Sequence, residues 1–374
     1  MKKIAIDLTS FNRVHGGGKD EVSYNLLRGF SHMRVVDQII CVCREELVDI
    51  IHAIDKNYQI LVMPEFQVVQ TPLLLLERGK FLKKHIKELN IGCILFTNKI
   101  TPMMHFPVPT YMISHDFQPL SHPSRIFNSK IHALTHKVYI YADSIFRSKI
   151  IAISEYDAKE CQKYMPWSKK KTLPVYNPIR FSEEFEGAPE KKYILALNLQ
   201  HPHKNVETLI RAYARIADQI PYRLMLVGKT NSHQFNVLST LAEELGIKDR
   251  TDFPGFISQE ELDEIVKSTR LYVNSSLYEG FGMTAIEMMG QKIPTIVANN
   301  TAMPEVTMGL CRYYEPTTDD AKLAEVMLEE LNNPMPAEQL KDIAIKVREK
   351  YSHINVAENY WNMLTAGLTE EKNK

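Results

Sequence analysis

The sequence predicts an α/β protein built from two doubly wound, parallel-sheet domains. Short, almost wholly apolar runs alternate with longer amphipathic stretches, which is the pattern of strands buried on both faces by crossover helices. That pattern stops and restarts once, after residue 190, and a polar, proline-broken stretch lies between the two blocks. At 374 residues and 44% hydrophobic composition the chain can bury two cores.

In the first block, residues 3–7, 38–43, 93–96, 110–113 and 149–153 read as strands. The second repeats the rhythm at 193–197, 223–228, 251–253, 271–274 and 294–298, with helical spacing over 205–217. The boundary falls in residues 178–190, giving one domain over 1–180 and a second over 181–353. Residues 354–368 carry apolar residues at helical spacing, and the tail to residue 374 is expected to fray. No solenoid repeat or low-complexity block interrupts this order.

Asp7 interrupts the only apolar stretch near the start, and no run reaches the length of a membrane span, so a cytoplasmic chain is expected. Cys41 and Cys43 fit a buried strand in a reducing compartment better than a zinc site. The formal net charge is zero, which gives no reason to expect a nucleic-acid partner, but the halves differ. Residues 1–180 hold 25 Lys and Arg against 16 Asp and Glu, and residues 181–374 hold 20 against 29. A basic first half suits an anionic partner, either a phosphorylated acceptor or a membrane surface. Residues 81–89 have the composition of a helix with one apolar and one basic face, although a helix packing its apolar stripe inward reads the same way.

The most informative stretch is Ser276-Leu-Tyr-Glu279-Gly280-Phe281-Gly282-Met283-Thr284-Ala-Ile-Glu287. Gly280, Phe281 and Gly282 form a turn that lets backbone amides approach a ligand, and Met283 and Thr284 open a helix whose positive end suits a phosphate. Glu279 stands before that helix and Glu287 near its end, where carboxylates accept hydrogen bonds from hydroxyl groups. A sugar joined to a phosphate fits all of these.

Three further groups lie past strand ends. Gly16, Gly17 and Gly18 follow the first strand; alone they make a plain loop, but the sheet's carboxyl edge favours a ligand. His203 and Lys204 follow the first strand of the second block, where a lysine meets a diphosphate as a point charge. His115 and Asp116 follow the run 110–113, which directs His115 into the cleft expected between the domains. No Asp-x-Asp sequence of the kind that holds a divalent ion against a diphosphate is present, so neither metal nor cofactor is expected.

Taken together these residues resemble the retaining glycosyltransferases of family 4, in the GT-B class (glycosyl transferases group 1). The resemblance is strongest from Phe253-Pro-Gly-Phe256-Ile257-Ser258 through Glu279, Gly280, Gly282 and Glu287 to Met303-Pro-Glu-Val306, and it extends over nearly the whole chain. It implies two Rossmann-like domains facing across a cleft, with a C-terminal helix of about 354–374 crossing back to the first.

By the same resemblance, Glu279 and His115 would be catalytic and contact the donor sugar. Glu287 would bind the ribose, Lys204 the diphosphate, and the amides of residues 280–284 the sugar and phosphates. Phe256 and Ile257 would lie at the nucleotide base, with Gly16 to Gly18 and His203 also on the donor. The implied substrates are a UDP- or GDP-linked sugar and a glycan or lipid-linked acceptor in surface polysaccharide synthesis, with peripheral contact to an anionic membrane. Two departures bear on the phosphate assignment: Asn198 stands where the family commonly has glycine, and His203 where an arginine often precedes the lysine. A GT-B nucleotide-sugar epimerase, or a degenerate glycosyltransferase kept as a scaffold, are the alternatives.

Overall fold

The computed structural model describes residues 2–11, 18–66, 71–99, 101–121, 129–182 and 190–370. The chain divides into one unit of Met1–Arg180 with Lys350–Lys374 and a second of Phe181–Glu349.

The first unit holds a seven-stranded sheet: β1 (Lys3–Asp7), β2 (Ile39–Cys43), β3 (Gln59–Val62), β4 (Ile91–Phe96), β5 (Thr110–Ser114), β6 (Lys149–Ala152) and β7 (Thr172–Pro174). The order is β3-β2-β1-β4-β5-β6-β7 and every pairing is parallel. All residues of β2, β4 and β5 are buried, as continuous apolar runs require of central strands. Cys41 and Cys43 are free and buried, and burial pushes the Cys43 thiol up to about 12.

The second unit holds six strands: β8 (Tyr193–Leu197), β9 (Arg223–Val227), β10 (Thr251–Gly255), β11 (Thr269–Asn274), β12 (Thr295–Ala298) and β13 (Arg312–Tyr314). They run in the order β10-β9-β8-β11-β12-β13, again all parallel. The helix Val206–Ile216 buries Leu209, Ile210, Tyr213 and Ile216 in this unit's core. Both sheets are therefore doubly wound. Strand order reverses between β1 and β4 in one and between β8 and β11 in the other, and such reversals leave a crevice outside the carboxyl ends of the strands.

Three strands differ from the sequence reading. β3, β7 and β13 are edge strands, and their short, half-exposed residues lack a continuous apolar run. Pro174, which reads as a break, ends β7, where an edge tolerates the missing N–H. Residues 81–89 lie largely in the helix Thr71–Glu88, with Leu82 and Ile86 buried and Lys83, Lys84 and Lys87 exposed. Its apolar stripe faces inward, the ordinary arrangement for such a helix.

The C-terminal helix His353–Glu370 packs on the first unit's helix Gly18–His32. Gly29 permits this approach, because a Cβ there would run into the Ala357 side chain and the His353 carbonyl. Phe30 and Trp361 meet edge to face at 6.0 Å, and the Tyr111 hydroxyl donates to the Met363 carbonyl at 3.5 Å. The chain thus returns to its first unit through close helix contact.

Candidate active site

At the carboxyl edge of the second sheet, loops from three strands converge on one residue, Glu279. The loop after β8 runs through a 3-10 turn, Pro202–Lys204, to Asn205, which takes a left-handed conformation. The loop after β11 carries Asn274, Ser276 and Glu279. Lys204 Nζ donates to Glu279 Oε1 at 2.6 Å, Ser276 Oγ to the same atom at 2.7 Å, and Asn274 Nδ2 at 3.3 Å. From the loop after β12, Thr301 Oγ1 accepts from the Glu279 backbone N–H at 3.1 Å. Lys204 and Glu279 come from β8 and β11, the two strands at which the order reverses.

Glu279 is 9% exposed. Burial raises its pKa, but Lys204, the Ser276 hydroxyl and His203 outweigh burial and hold the carboxyl below its ordinary value, so it is ionised at neutral pH. All three side-chain donors reach Oε1, so the carboxylate is fixed through one oxygen.

The helix Met283–Gly290 follows directly. Its N-cap, Gly282, has φ 82°, and a Cβ there would strike the Met303 thioether, so both conformation and space demand glycine. The carbonyl of Gly282 accepts from Ala285 N and Ile286 N, which leaves Met283 and Thr284 ahead of the first intrahelical bonds. The Thr284 hydroxyl pairs with the Tyr272 hydroxyl at 2.7 Å. Burial raises the Tyr272 pKa, and Glu279 and Glu287 both add to the rise, so both carboxylates lie within electrostatic reach of that hydroxyl. Gly280 and Phe281 are buried; Phe281, at 2% exposure, packs as a core side chain and can offer a ligand only its backbone.

Neighbouring loops add positive charge. The His203 carbonyl accepts from Leu277 N at 2.7 Å, tying the β8 loop to the β11 loop. The His201 and His203 rings lie 5.5 Å apart. Burial, then Lys204 and Lys229, push His201 below its usual range. Lys229 Nζ stands 5.7 Å over the ring of Phe256, which is 74% exposed beside Gly255 and Ile257. Asn198 has φ 64°, a left-handed conformation in which glycine is unstrained and asparagine is the best-tolerated alternative. A glycine, which the resemblance leads one to expect here, and this asparagine would meet the same backbone requirement. Asn198→Gly is expected to change stability by less than about 1 kcal/mol, measured by thermal unfolding, whereas Asn198→Val should lose well over that.

In the first unit, His115 is buried and its Nε2 lies 2.7 Å from the Thr97 carbonyl at the end of β4. Burial, with Lys19 and Lys99 nearby, drives its pKa down to about 3, so the ring is neutral and Nε2 is the protonated nitrogen. Nδ1 is then an acceptor, able to take a hydroxyl proton but not to donate to a developing negative charge. Asp116 lies 3.9 Å from Lys99 and 3.8 Å from Lys19, and these lysines hold its carboxyl below the ordinary value despite burial. A small surface recess at the same edge is lined by Asp7, Arg78, Thr97 and Lys99 among others. Gly18 begins the helix Gly18–His32, while Gly16 and Gly17 lie outside the described residues.

Asn274 and Ser276 lie in or beside the stretch that the sequence marks as most informative but received no role from it, and Thr301, Arg78 and Lys99 were not singled out. The short polar run Asn274-Ser-Ser directly after an apolar strand was the available signal for the first two. Among the described residues no cluster of three His, Cys, Asp or Glu side chains has the grouping of a metal site, and no helix is long and apolar enough to cross a membrane.

Two doubly wound, all-parallel sheets, each with its own strand reversal, are the architecture of the GT-B class. Residues 179–347, nearly all of the second unit, match the model of the glycosyl transferases group 1 family. The serotype-specific mannosyltransferase WbdA of Escherichia coli is 27% identical over 276 residues, covering 68% of this chain and 33% of WbdA. The match thus spans about a third of that relative's length. A glycosyltransferase of Rickettsia africae superposes with a TM-score of 0.74 at 14% identity, over 98% of this chain and 99% of that one. HepE of Anabaena, solved with UDP and glucose, superposes with a TM-score of 0.71 at 15% identity, over 98% of this chain and all of that one. These likenesses establish the fold, two Rossmann-like units of the GT-B kind.

Proposed function

We propose that the protein is a retaining, metal-independent glycosyltransferase that moves a sugar from a nucleotide-diphosphate donor to a hydroxyl of a glycan or lipid-linked acceptor. The observation that carries this reading is the Lys204–Glu279 pair at the strand reversal of the second sheet, immediately before the N-terminus of the helix Met283–Gly290. The helix amides and Lys204 supply fixed positive charge for a departing diphosphate. Glu279, held through Oε1, keeps Oε2 as an acceptor for a sugar hydroxyl, and Glu287 serves the ribose hydroxyls. In the first unit, His115 Nδ1 is an acceptor for a hydroxyl group.

In the reaction, the bond from the anomeric carbon to the diphosphate breaks while an acceptor oxygen bonds to the same face of the sugar. The acceptor's proton passes to the departing phosphate oxygen, and the diphosphate leaves with the bonding pair. The protein's contribution is alignment and charge stabilisation, which no metal is needed to supply. Mannose is the first sugar to try, because relatives such as WbdA and the O-antigen chain mannosyltransferase RfbU of Salmonella typhimurium are named as mannosyltransferases. Surface polysaccharide assembly at the cytoplasmic face of an anionic membrane is the setting proposed.

The test is thermal shift with UDP, GDP, UDP-glucose and GDP-mannose, followed by transfer assays with and without EDTA. Stabilisation by one diphosphate series and EDTA-insensitive transfer with retained configuration are expected. Inversion, EDTA-sensitive turnover, or isomerisation of the donor without transfer would each overturn the part of the reading it addresses.

A further inference from the structure

The helix Lys130–Phe146 in the first unit is built inside out. Ile131 is 74% exposed, Leu134 63%, Val138 57% and Ile145 57%. With Tyr141 they recur at intervals of three and four residues, an arc of about 80° at 100° per residue, so they form one stripe. The opposite face carries Ile140, Asp143 and Ser144, the only fully buried residues of the helix. Scattered surface leucines are ordinary, but a continuous stripe of this length marks a surface that is covered in use.

The stripe extends past the helix. Trp167, 48% exposed, stands perpendicular to Tyr141 at 5.3 Å and donates its indole N–H to Ser144 Oγ at 3.0 Å. Lys171 Nζ donates to the carbonyls of Ser144, Ile145 and Arg147, the last at 3.2 Å, so the segment that carries Trp167 is fastened to the helix C-terminus. An apolar stripe thus ends in a tryptophan, a side chain suited to a boundary between apolar and wet surroundings.

Its charged border has one sign. Lys130 and Lys137 on the helix and Lys169 and Lys170 beside Trp167 are exposed, and Lys137 Nζ sits 5.3 Å over the Tyr141 ring. The one acid of the helix, Asp143, is fully buried and paired with Arg147. A second copy pairing through the same stripe about a two-fold axis would set lysines against lysines. An anionic lipid surface offers apolar depth for the stripe and opposite charge for the lysines.

We propose that Ile131, Leu134, Val138, Ile145 and Trp167, bordered by these lysines, form a surface that lies in the interface of an anionic lipid bilayer. This places membrane contact on the helix Lys130–Phe146 rather than on residues 81–89, whose apolar stripe is buried. Binding to vesicles needs neither donor nor acceptor, so it stands or falls separately from sugar transfer.

The experiment uses the full chain and flotation with vesicles of phosphatidylglycerol and phosphatidylethanolamine, compared with pure phosphatidylcholine. Binding to the anionic vesicles is expected, weakened at least tenfold by high salt or by phosphatidylcholine. The triple variant Leu134→Gln, Val138→Gln, Ile145→Gln should bind at least tenfold more weakly, and so should Lys130→Glu, Lys137→Glu, Lys169→Glu, Lys170→Glu. Leu73→Gln with Leu76→Gln, exposed leucines of another helix, should bind like the parent. In a Trp361→Phe background the emission of Trp167 should shift to the blue on binding. No binding by the parent, or undiminished binding by the triple variant, would overturn the proposal. So would a dimer in sedimentation that the triple variant abolishes, which would assign the stripe to a second copy.

Discussion

Glu279→Ala and Lys204→Ala are each expected to lower sugar transfer by roughly 10²-fold or more, the scale of losing a contact made in the transition state. The two losses should not multiply. Because Lys204 Nζ donates directly to Glu279 Oε1, removing either partner also releases the other, and the double variant should be little worse than the poorer single one. Glu279→Gln separates charge from shape: it can still accept from Ser276 and Asn274 but no longer balances Lys204. The pH dependence has a defined sign. The Glu279 pKa is held below its ordinary value, so the pair's contribution is complete above the ordinary carboxylate range and is lost as pH falls through the lowered pKa. Transfer rates with saturating donor, measured for the single and double variants, decide the matter. Near-parent rates in both single variants would remove the site from the second sheet's strand reversal.

That pair also shows what the sequence can and cannot disclose. Lys204 and Glu279 are each conspicuous, the one after an apolar run and the other before a glycine turn, and the strand–loop–helix context of each is local. Their bond joins residues far apart in the chain and depends on β8 lying beside β11, a pairing that no local pattern encodes. The same distinction separates central strands from edge strands. β2 and β4 are legible because burial on both faces forces continuous apolar runs, whereas Gln59–Val62 and Arg312–Tyr314 lie at sheet edges where one side meets solvent. Asn198 is a case where the substitution was legible and its meaning was not. The positive φ explains why asparagine can stand in for glycine, and it is a property of the folded backbone. His115 illustrates chemistry set by surroundings: the residue was visible, but the tautomer and its neutral state follow from the Thr97 carbonyl and from burial.

Asp143→Ala is expected to destabilise the first unit by about 3–5 kcal/mol, the range for breaking a fully buried ion pair from one side. Asp143 and Arg147 are both completely buried, with Arg147 Nε 3.3 Å from Asp143 Oδ1. Asp143 also accepts from the Thr101 backbone N–H at 3.2 Å and from the Thr101 hydroxyl. The Arg147 guanidinium donates to the Pro102 carbonyl at 2.6 Å and lies 4.8 Å over the Phe96 ring. Removing the carboxylate strands a cation among these groups, where burial already lowers the arginine's pKa. Asp143→Asn keeps a hydrogen-bonding oxygen and should cost less. The double variant Asp143→Ala, Arg147→Met removes both charges and should recover part of the loss. The chain's two tryptophans, Trp167 and Trp361, both belong to the first unit, so denaturation followed by tryptophan fluorescence reads this unit alone. The ion pair anchors the inner face of the helix whose outer face carries the apolar stripe, so Asp143→Ala should weaken vesicle binding only under conditions where fluorescence shows the unit opening. Weakened binding by a fully folded Asp143→Ala chain would mean that the pair sets the outer surface directly, and an unchanged denaturation midpoint would mean that it bears no load in the fold.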